Sequence, residues 1–220
     1  RAENTAPFVI AGRNAHKAFM FAAAKIGFDV EWLYPEKTNS LCSAFITATD
    51  LENKLESLNE KPFAVYITSP DYLGNITDIK SLSAVCKKYN VPLLVDNAHG
   101  AYLNFLEEYL HPIALGADIC CDSAHKTLPV LTGGAYLHIS PNLPHLSQGA
   151  KNALALFGST SPSYLVLQSL DRANEVISEG YSRRLSELVL KVNQTKQALA
   201  EGGYTLIGNE LMKITIDAKA

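Results

Sequence analysis

An acid and an amine follow two apolar runs about 30 residues apart in this 220-residue chain. Asp96 closes "VPLLV" (91–95), and Lys126 ends the cluster "SAHK" (123–126) that follows "ADICCD" (117–122). A third polar cluster, "GRNAH" (12–16), ends in His16 and follows the apolar run "PFVIA" (7–11). Taken singly, each residue has an ordinary role: an aspartate at a strand end is a common turn residue, and a lysine there commonly sits in water. Together they describe a site. In apolar surroundings an ammonium group is disfavoured, its pKa falls, and the neutral amine becomes a nucleophile that forms a Schiff base with an aldehyde. An acid nearby holds a nitrogen heterocycle protonated. A Schiff-base lysine with an acidic partner is what pyridoxal 5′-phosphate requires of its protein. Its phosphate needs hydroxyls, backbone amides or a cation, and Ser123 and His125 directly precede the lysine.

Such groups converge only if the elements carrying them are aligned. "PFVIA" reads as a strand, "NAHKAFMFAAAKIG" (14–27) as a helix stopping at Gly27, and "DVEWLY" (29–34) as a second strand. A second helix is expected near Thr49, where Thr49 and Glu52 have capping-box spacing. "FAVYIT" (63–68) is a third strand, "DIKSLSAVCKKYN" (78–90) a third helix, and "VPLLV" and "ADICCD" are two further strands. Regular alternation of strands and helices predicts an α/β fold, a mostly parallel sheet with helices on both faces. In such sheets ligands bind beyond the carboxyl ends of the strands, where all three polar clusters fall. "AYLHIS" (135–140) follows too closely for a parallel crossover and is expected to be antiparallel. Helices are expected over 147–158 and through 162–202, then strand material in 204–217. The predicted division is a large domain over 1–160, a helical connection over 161–202, and the start of a small C-terminal domain over 203–220.

Composition removes other classes. With 47% hydrophobic and 19% charged residues the chain is that of an ordinary globular protein. Its 19 basic and 22 acidic residues form no basic cluster, so nucleic-acid binding has no electrostatic support. No apolar run approaches the roughly 18 to 20 residues of a membrane span, and no signal peptide opens the sequence, which predicts a cytoplasmic protein. Cys42, Cys86, Cys120 and Cys121 lack metal-site spacing, and the adjacent pair is expected to fill a buried strand. With no initiator methionine and a strand within a few residues of Arg1, the sequence reads as a fragment or a processed product.

The motifs "RNAHKA", "ITSPDYLGNITDI", "VDNAHGAY", "ADICCDSAHKTL" and "GSTSPSYLVLQSLDRA", in that order, resemble the large domain of the Orn/Lys/Arg decarboxylase family. That family lies within the fold-type-I, aspartate aminotransferase-like pyridoxal-phosphate enzymes. The resemblance implies pyridoxal-phosphate-dependent decarboxylation of a basic L-amino acid (ornithine, lysine or arginine) to its amine. It makes Lys126 the Schiff-base lysine and Asp96 the partner of the pyridine nitrogen. His16 would stack on one ring face and Ala98 pack against the other, with Ser123 and His125 near the phosphate and His99 orienting Asp96. Ser159 and Thr160 would reach the cofactor of another subunit, implying a homodimer or larger homo-oligomer with shared sites. The sequence also departs from the family: the glycine- and hydroxyl-rich phosphate loop would lie upstream of "PFVIAGRNAH", the small domain stops after its first strand, and "PVLTGGAY" replaces a more polar stretch. Two rival expectations remain at this level, another fold-type-I reaction such as an aminotransferase or lyase, and an inactive fragment serving as a binding or scaffold subunit.

Overall fold

The computed structural model describes residues 6–35, 40–158 and 160–218. Six short apolar runs become one sheet: β1 (Phe8–Gly12), β2 (Asp29–Leu33), β3 (Ala64–Thr68), β4 (Leu93–Asp96), β5 (Ile119–Asp122) and β6 (Tyr136–Ile139). Their spatial order is β2-β1-β3-β4-β5-β6. The first five are mutually parallel, and β6 pairs antiparallel with β5, as the short connection predicts. From β1 the chain moves outward to β2, then returns to place β3 on the other side of β1. In open α/β sheets, ligands bind beyond the carboxyl ends of the strands near such a reversal of winding direction.

Helices α1 (Lys17–Ile26), α2 (Ala48–Ser57) and α3 (Ile79–Lys88) supply the crossovers. Leu51 and Leu55 of α2 and Leu82, Val85 and Cys86 of α3 cover one sheet face, built from Ile10, Val65, Ile67, Leu93 and Val95. On the opposite face Phe19 of α1 packs on Val9, Ala11 and Ala64. Burial of this kind contributes about 1.5–3 kcal/mol per large aliphatic or aromatic side chain. The start of α2 differs from expectation. Thr47, not Thr49, is the cap: its hydroxyl accepts from Asp50 N–H and Asp50 accepts from the Thr47 N–H, so Thr49 lies inside the helix. Aspartate closes the box as well as the more distant Glu52 would.

Cys120 and Cys121 also depart from expectation. Strand alternation turns Cys120 into the interior while Cys121 stands exposed, because adjacent residues of β5 point to opposite faces. After β5 comes the single-turn helix α4 (Ala124–Thr127), and after β6 the helices α5 (Leu146–Phe157), α6 (Tyr164–Ser178) and α7 (Tyr181–Glu201). Gly180, at φ 83°, separates α6 from α7 in a left-handed conformation that favours glycine. A two-stranded ribbon, β7 (Leu206–Ile207) with β8 (Thr215–Ile216), follows. The ribbon and its connecting segment dock on the loop after β3: Asn209 Oδ1 accepts from Ile76 N–H at 2.7 Å, and Thr215 Oγ1 of β8 donates to Leu73 O at 2.9 Å. Among the described residues, no helix is long and apolar enough to cross a membrane.

Candidate active site

The parallel pairing of β4 with β5 is what brings the acid and the amine together. Asp96 is in register with Cys121, so the ends of the two strands lie side by side. β5 ends at Asp122, Ser123 occupies the cap position of α4, and α4 carries Lys126. A buried side chain ties the two strand ends: Asn97 Nδ2 donates to Asp122 Oδ1 at 2.7 Å. Gly100 makes room for this tie, since a Cβ there would lie 2.0 Å from Asn97 Oδ1. The glycine of "DNAHG" is thereby required by packing.

Asp96 is held as an acceptor. Tyr66 on β3 donates its hydroxyl to Asp96 Oδ2 at 2.8 Å, and the Ala98 N–H donates to Oδ1 at 3.2 Å. Burial, and then the charge of Asp96, push the Tyr66 phenol far above its ordinary range, so Tyr66 remains a donor wherever the protein is folded. Phe19 stacks on the Tyr66 ring with centroids 4.3 Å apart, fixing the phenol from the other side.

Lys126 is exposed, and its Nζ lies 3.3 Å from His99 Nε2. The apolar enclosure expected around this lysine is therefore not what the fold provides: α4 is one turn long and sits at the mouth of a pocket. Partial burial, then the charges of Lys126 and Lys213, lower the His99 pKa from 6.5 to about 4. At neutral pH His99 is uncharged, so its Nε2 lone pair accepts from the ammonium and orients it. His99 packs edge-on against Tyr72, at 6.2 Å between centroids. His99, Lys126, Thr127, Leu128, Met212 and Lys213 wall a pocket of about 430 Å³.

The other sequence-derived residues have different settings. His16 is exposed at the end of β1 and caps α1, its Nδ1 accepting from Ala18 N–H at 3.2 Å. His125 Nδ1 donates to Gly134 O at 2.9 Å, bracing the turn into β6. Ser123 and Ala98 are half-buried, and Thr160 is exposed. Ser159 lies outside the described residues. His99 makes its hydrogen bond with Lys126, while the bonds to Asp96 come from Tyr66 and Ala98.

Sequence reasoning missed Tyr66, Thr68, Thr127 and Lys213. A tyrosine or threonine inside a strand reads as β-propensity, and only register shows that Thr68 faces Asp96 across β3 and β4. The buried atoms Asn14 Nδ2, Thr68 Oγ1 and Thr127 Oγ1 have no hydrogen-bond partner among the described residues. An unsatisfied buried polar atom costs about 1–3 kcal/mol. Their placement after β1, at the end of β3 and beside Lys126 fits a polar cofactor at these strand ends.

Residues 3–218 match the family model described as "Orn/Lys/Arg decarboxylase, major domain". The arginine decarboxylase of Bacillus subtilis (strain 168) is 35% identical over 211 residues, covering 93% of this chain and 42% of that protein. The chain thus spans less than half the length of that relative. Among solved structures, an alanine–glyoxylate aminotransferase from Nostoc sp. superposes with a TM-score of 0.70 at 14% identity, covering 98% of this chain and 59% of the other. A cysteine desulfurase from Thermococcus onnurineus NA1 gives 0.68 at 16% identity, with 98% and 57% covered. These two likenesses speak to the fold alone.

Proposed function

The chain belongs to the Orn/Lys/Arg decarboxylase family, and from that premise we propose that the full-length protein decarboxylates a basic L-amino acid at the Lys126–Asp96 site. The fold is that of the pyridoxal-phosphate-dependent transferases, and pyridoxal 5′-phosphate is the cofactor that goes with this family. The observation that carries the reading is the placement of Lys126 and Asp96 at the ends of adjacent parallel strands, with three unpartnered polar atoms around them.

When bound, pyridoxal phosphate supplies a carbonyl carbon for an amine and an electron-withdrawing ring that accepts the electron pair released as Cα loses its carboxylate. Lys126 provides the amine that holds the cofactor. Asp96, positioned by hydrogen bonds from Tyr66 and the Ala98 N–H, would pair with the ring nitrogen and hold its proton in place. The small side chain of Ala98 would let a planar group approach the sheet, and His16, at the cap of α1, would cover its other face. Ser123, His125 and the hydroxyls of Thr68 and Thr127 supply polar contacts. His99 orients the Lys126 side chain through Nε2, and Lys126 is the group that would deliver a proton to Cα.

A division into a large domain (1–160), a helical connection (161–202) and the opening of a small domain (203–220) belongs to the same reading. So do a cytoplasmic location and a homodimer or larger homo-oligomer in which Ser159 and Thr160 reach a neighbouring site. Arginine is the first substrate to try, since the named relative is an arginine decarboxylase. The test is product analysis of full-length, cofactor-loaded protein with arginine, lysine and ornithine. Carbon dioxide and the matching amine are expected. Keto-acid formation instead would select transamination, and no turnover of any of the three would sink the proposal.

A further inference from the structure

On the sheet face opposite Asp96, a second constellation has no part in the proposed reaction. The antiparallel register sets His138 of β6 directly opposite Cys120 of β5, and Asp122 lies two residues further along the same face. His111, from the loop before β5, completes the group. His111 Nε2 and His138 Nε2 each stand 3.0 Å from Asp122 Oδ2, and the three ligand-type atoms all lie within 4.8 Å of one another. We propose that His111, Asp122 and His138 form a binding site for zinc or a similar borderline transition-metal ion.

Four observations support it. Tetrahedral zinc with bonds of about 2.0–2.2 Å puts its ligand atoms roughly 3.3 Å apart; both nitrogen–carboxylate separations are 3.0 Å, and the third pair, within 4.8 Å, closes by a side-chain adjustment. The two imidazoles are near-perpendicular with centroids 5.1 Å apart, converging on Asp122 instead of stacking. Asp122 is 2% exposed, and among the described residues its ionic partners are the two histidines, with no lysine or arginine. A divalent cation places a full positive charge directly against such a buried carboxylate. The non-ligating oxygen is already oriented, since Asp122 Oδ1 accepts from Asn97 Nδ2 at 2.7 Å and from the Cys120 thiol at 3.4 Å, as carboxylate ligands are held in metal sites.

The three ligands also line a pocket of about 400 Å³, with Tyr136, Asn104 and Asn174 among its walls. A fourth coordination position therefore opens onto space, where water or a small anionic or thiol ligand fits. Nitrogen and carboxylate donors with a nearby thiol select zinc over magnesium or calcium, which prefer oxygen alone. The rival arrangement is a metal-free knot in which both Nε2–H groups donate to Asp122 Oδ2. The Ile113 N–H, facing His111 Nδ1 at 3.4 Å, favours that rival by leaving the proton on Nε2.

Titration of chelator-treated, tag-free, full-length protein with zinc chloride separates the two. One zinc retained per chain is expected, with visible absorption typical of tetrahedral cobalt when cobalt(II) is substituted. His138→Gln should abolish stoichiometric binding; His138 is partly exposed on the edge strand, so this variant is expected to fold. Zinc should also raise the melting temperature of wild-type protein and leave that of His138→Gln unchanged. Absence of stoichiometric zinc, or equal binding by His138→Gln, overturns the proposal. Neither outcome depends on the Lys126 site, whose own test is retention of cofactor.

Discussion

Two carboxylates on neighbouring strands, Asp96 and Asp122, have opposite surroundings. Asp96 receives two hydrogen bonds on the half-open face that carries Lys126. Asp122 is buried and contacts four side chains, from Asn97, Cys120, His111 and His138. Burial acts to raise the Asp122 pKa, yet bonds from His111 and His138 outweigh it and hold the carboxyl well below its ordinary range. One carboxylate has been left with capacity to spare, and the other has been saturated. The first arrangement suits a group that must meet a ligand; the second suits a group that locks strands together or clasps a cation. Cys121 and Cys120 repeat the contrast on a smaller scale, exposed on the open face and buried on the closed one.

Several substitutions break or sharpen this contrast. The largest effect is expected at Lys126. Lys126→Ala in the full-length enzyme should lower turnover by at least about 10²–10⁴-fold, the range for loss of a proton-transferring group, and abolish covalent retention of the cofactor after borohydride reduction. Its urea midpoint should stay near wild type, because Lys126 is exposed. Asp122→Ala should do the reverse. Removing one partner of a buried charged cluster costs about 3–5 kcal/mol, to be read as a fall in the urea unfolding midpoint. If the two variants had the same stability, the division between open and saturated carboxylates would fail.

Tyr66→Phe tests the middle ground. It removes one hydrogen bond to a charged acceptor, worth about 1.5–3 kcal/mol, and should weaken cofactor binding by roughly 10- to 100-fold in a direct titration, with the fold intact by circular dichroism. A smaller effect concerns pH. His99 has a folded pKa of about 4 against its ordinary 6.5, so between these values the unfolded chain binds a proton that the folded chain refuses. Stability from this group is fully present above about pH 6.5 and falls as the pH drops toward 4. Urea midpoints measured between pH 7 and pH 4 should decline less steeply in His99→Gln, and an unchanged slope would contradict the proposed environment of His99. The least effect is expected at the cap of α2, where Thr47→Ala should cost about 1 kcal/mol and leave both carboxylates unaffected.

Much of this is readable in the sequence alone. Strand and helix alternation, the antiparallel turn into β6 and the three polar clusters at strand ends follow from apolar periodicity and connection length, which are local quantities. The α2 cap falls two residues earlier than expected because Thr49–Glu52 and Thr47–Asp50 are both capping patterns, and only the hydrogen bonds choose between them. Tyr66 could not be singled out, since its meaning depends on Asp96 lying one strand away. His111 and His138 went unmarked for the same reason: they are separated from Asp122 by 11 and 16 residues in no recognisable metal spacing.

The sequence by itself determined which residues carry reactive groups and that they stand at strand ends, because side-chain chemistry and the two-residue period of strands are properties of short segments. Tertiary structure alone decided their neighbours. Pairing of β4 with β5 set the acid beside the lysine's strand, approach of the 206–216 segment brought Lys213 to His99, and the β5–β6 register gathered two histidines onto one carboxylate. Electrostatic character depends on distance and burial, and both arise only when segments remote in sequence are packed together.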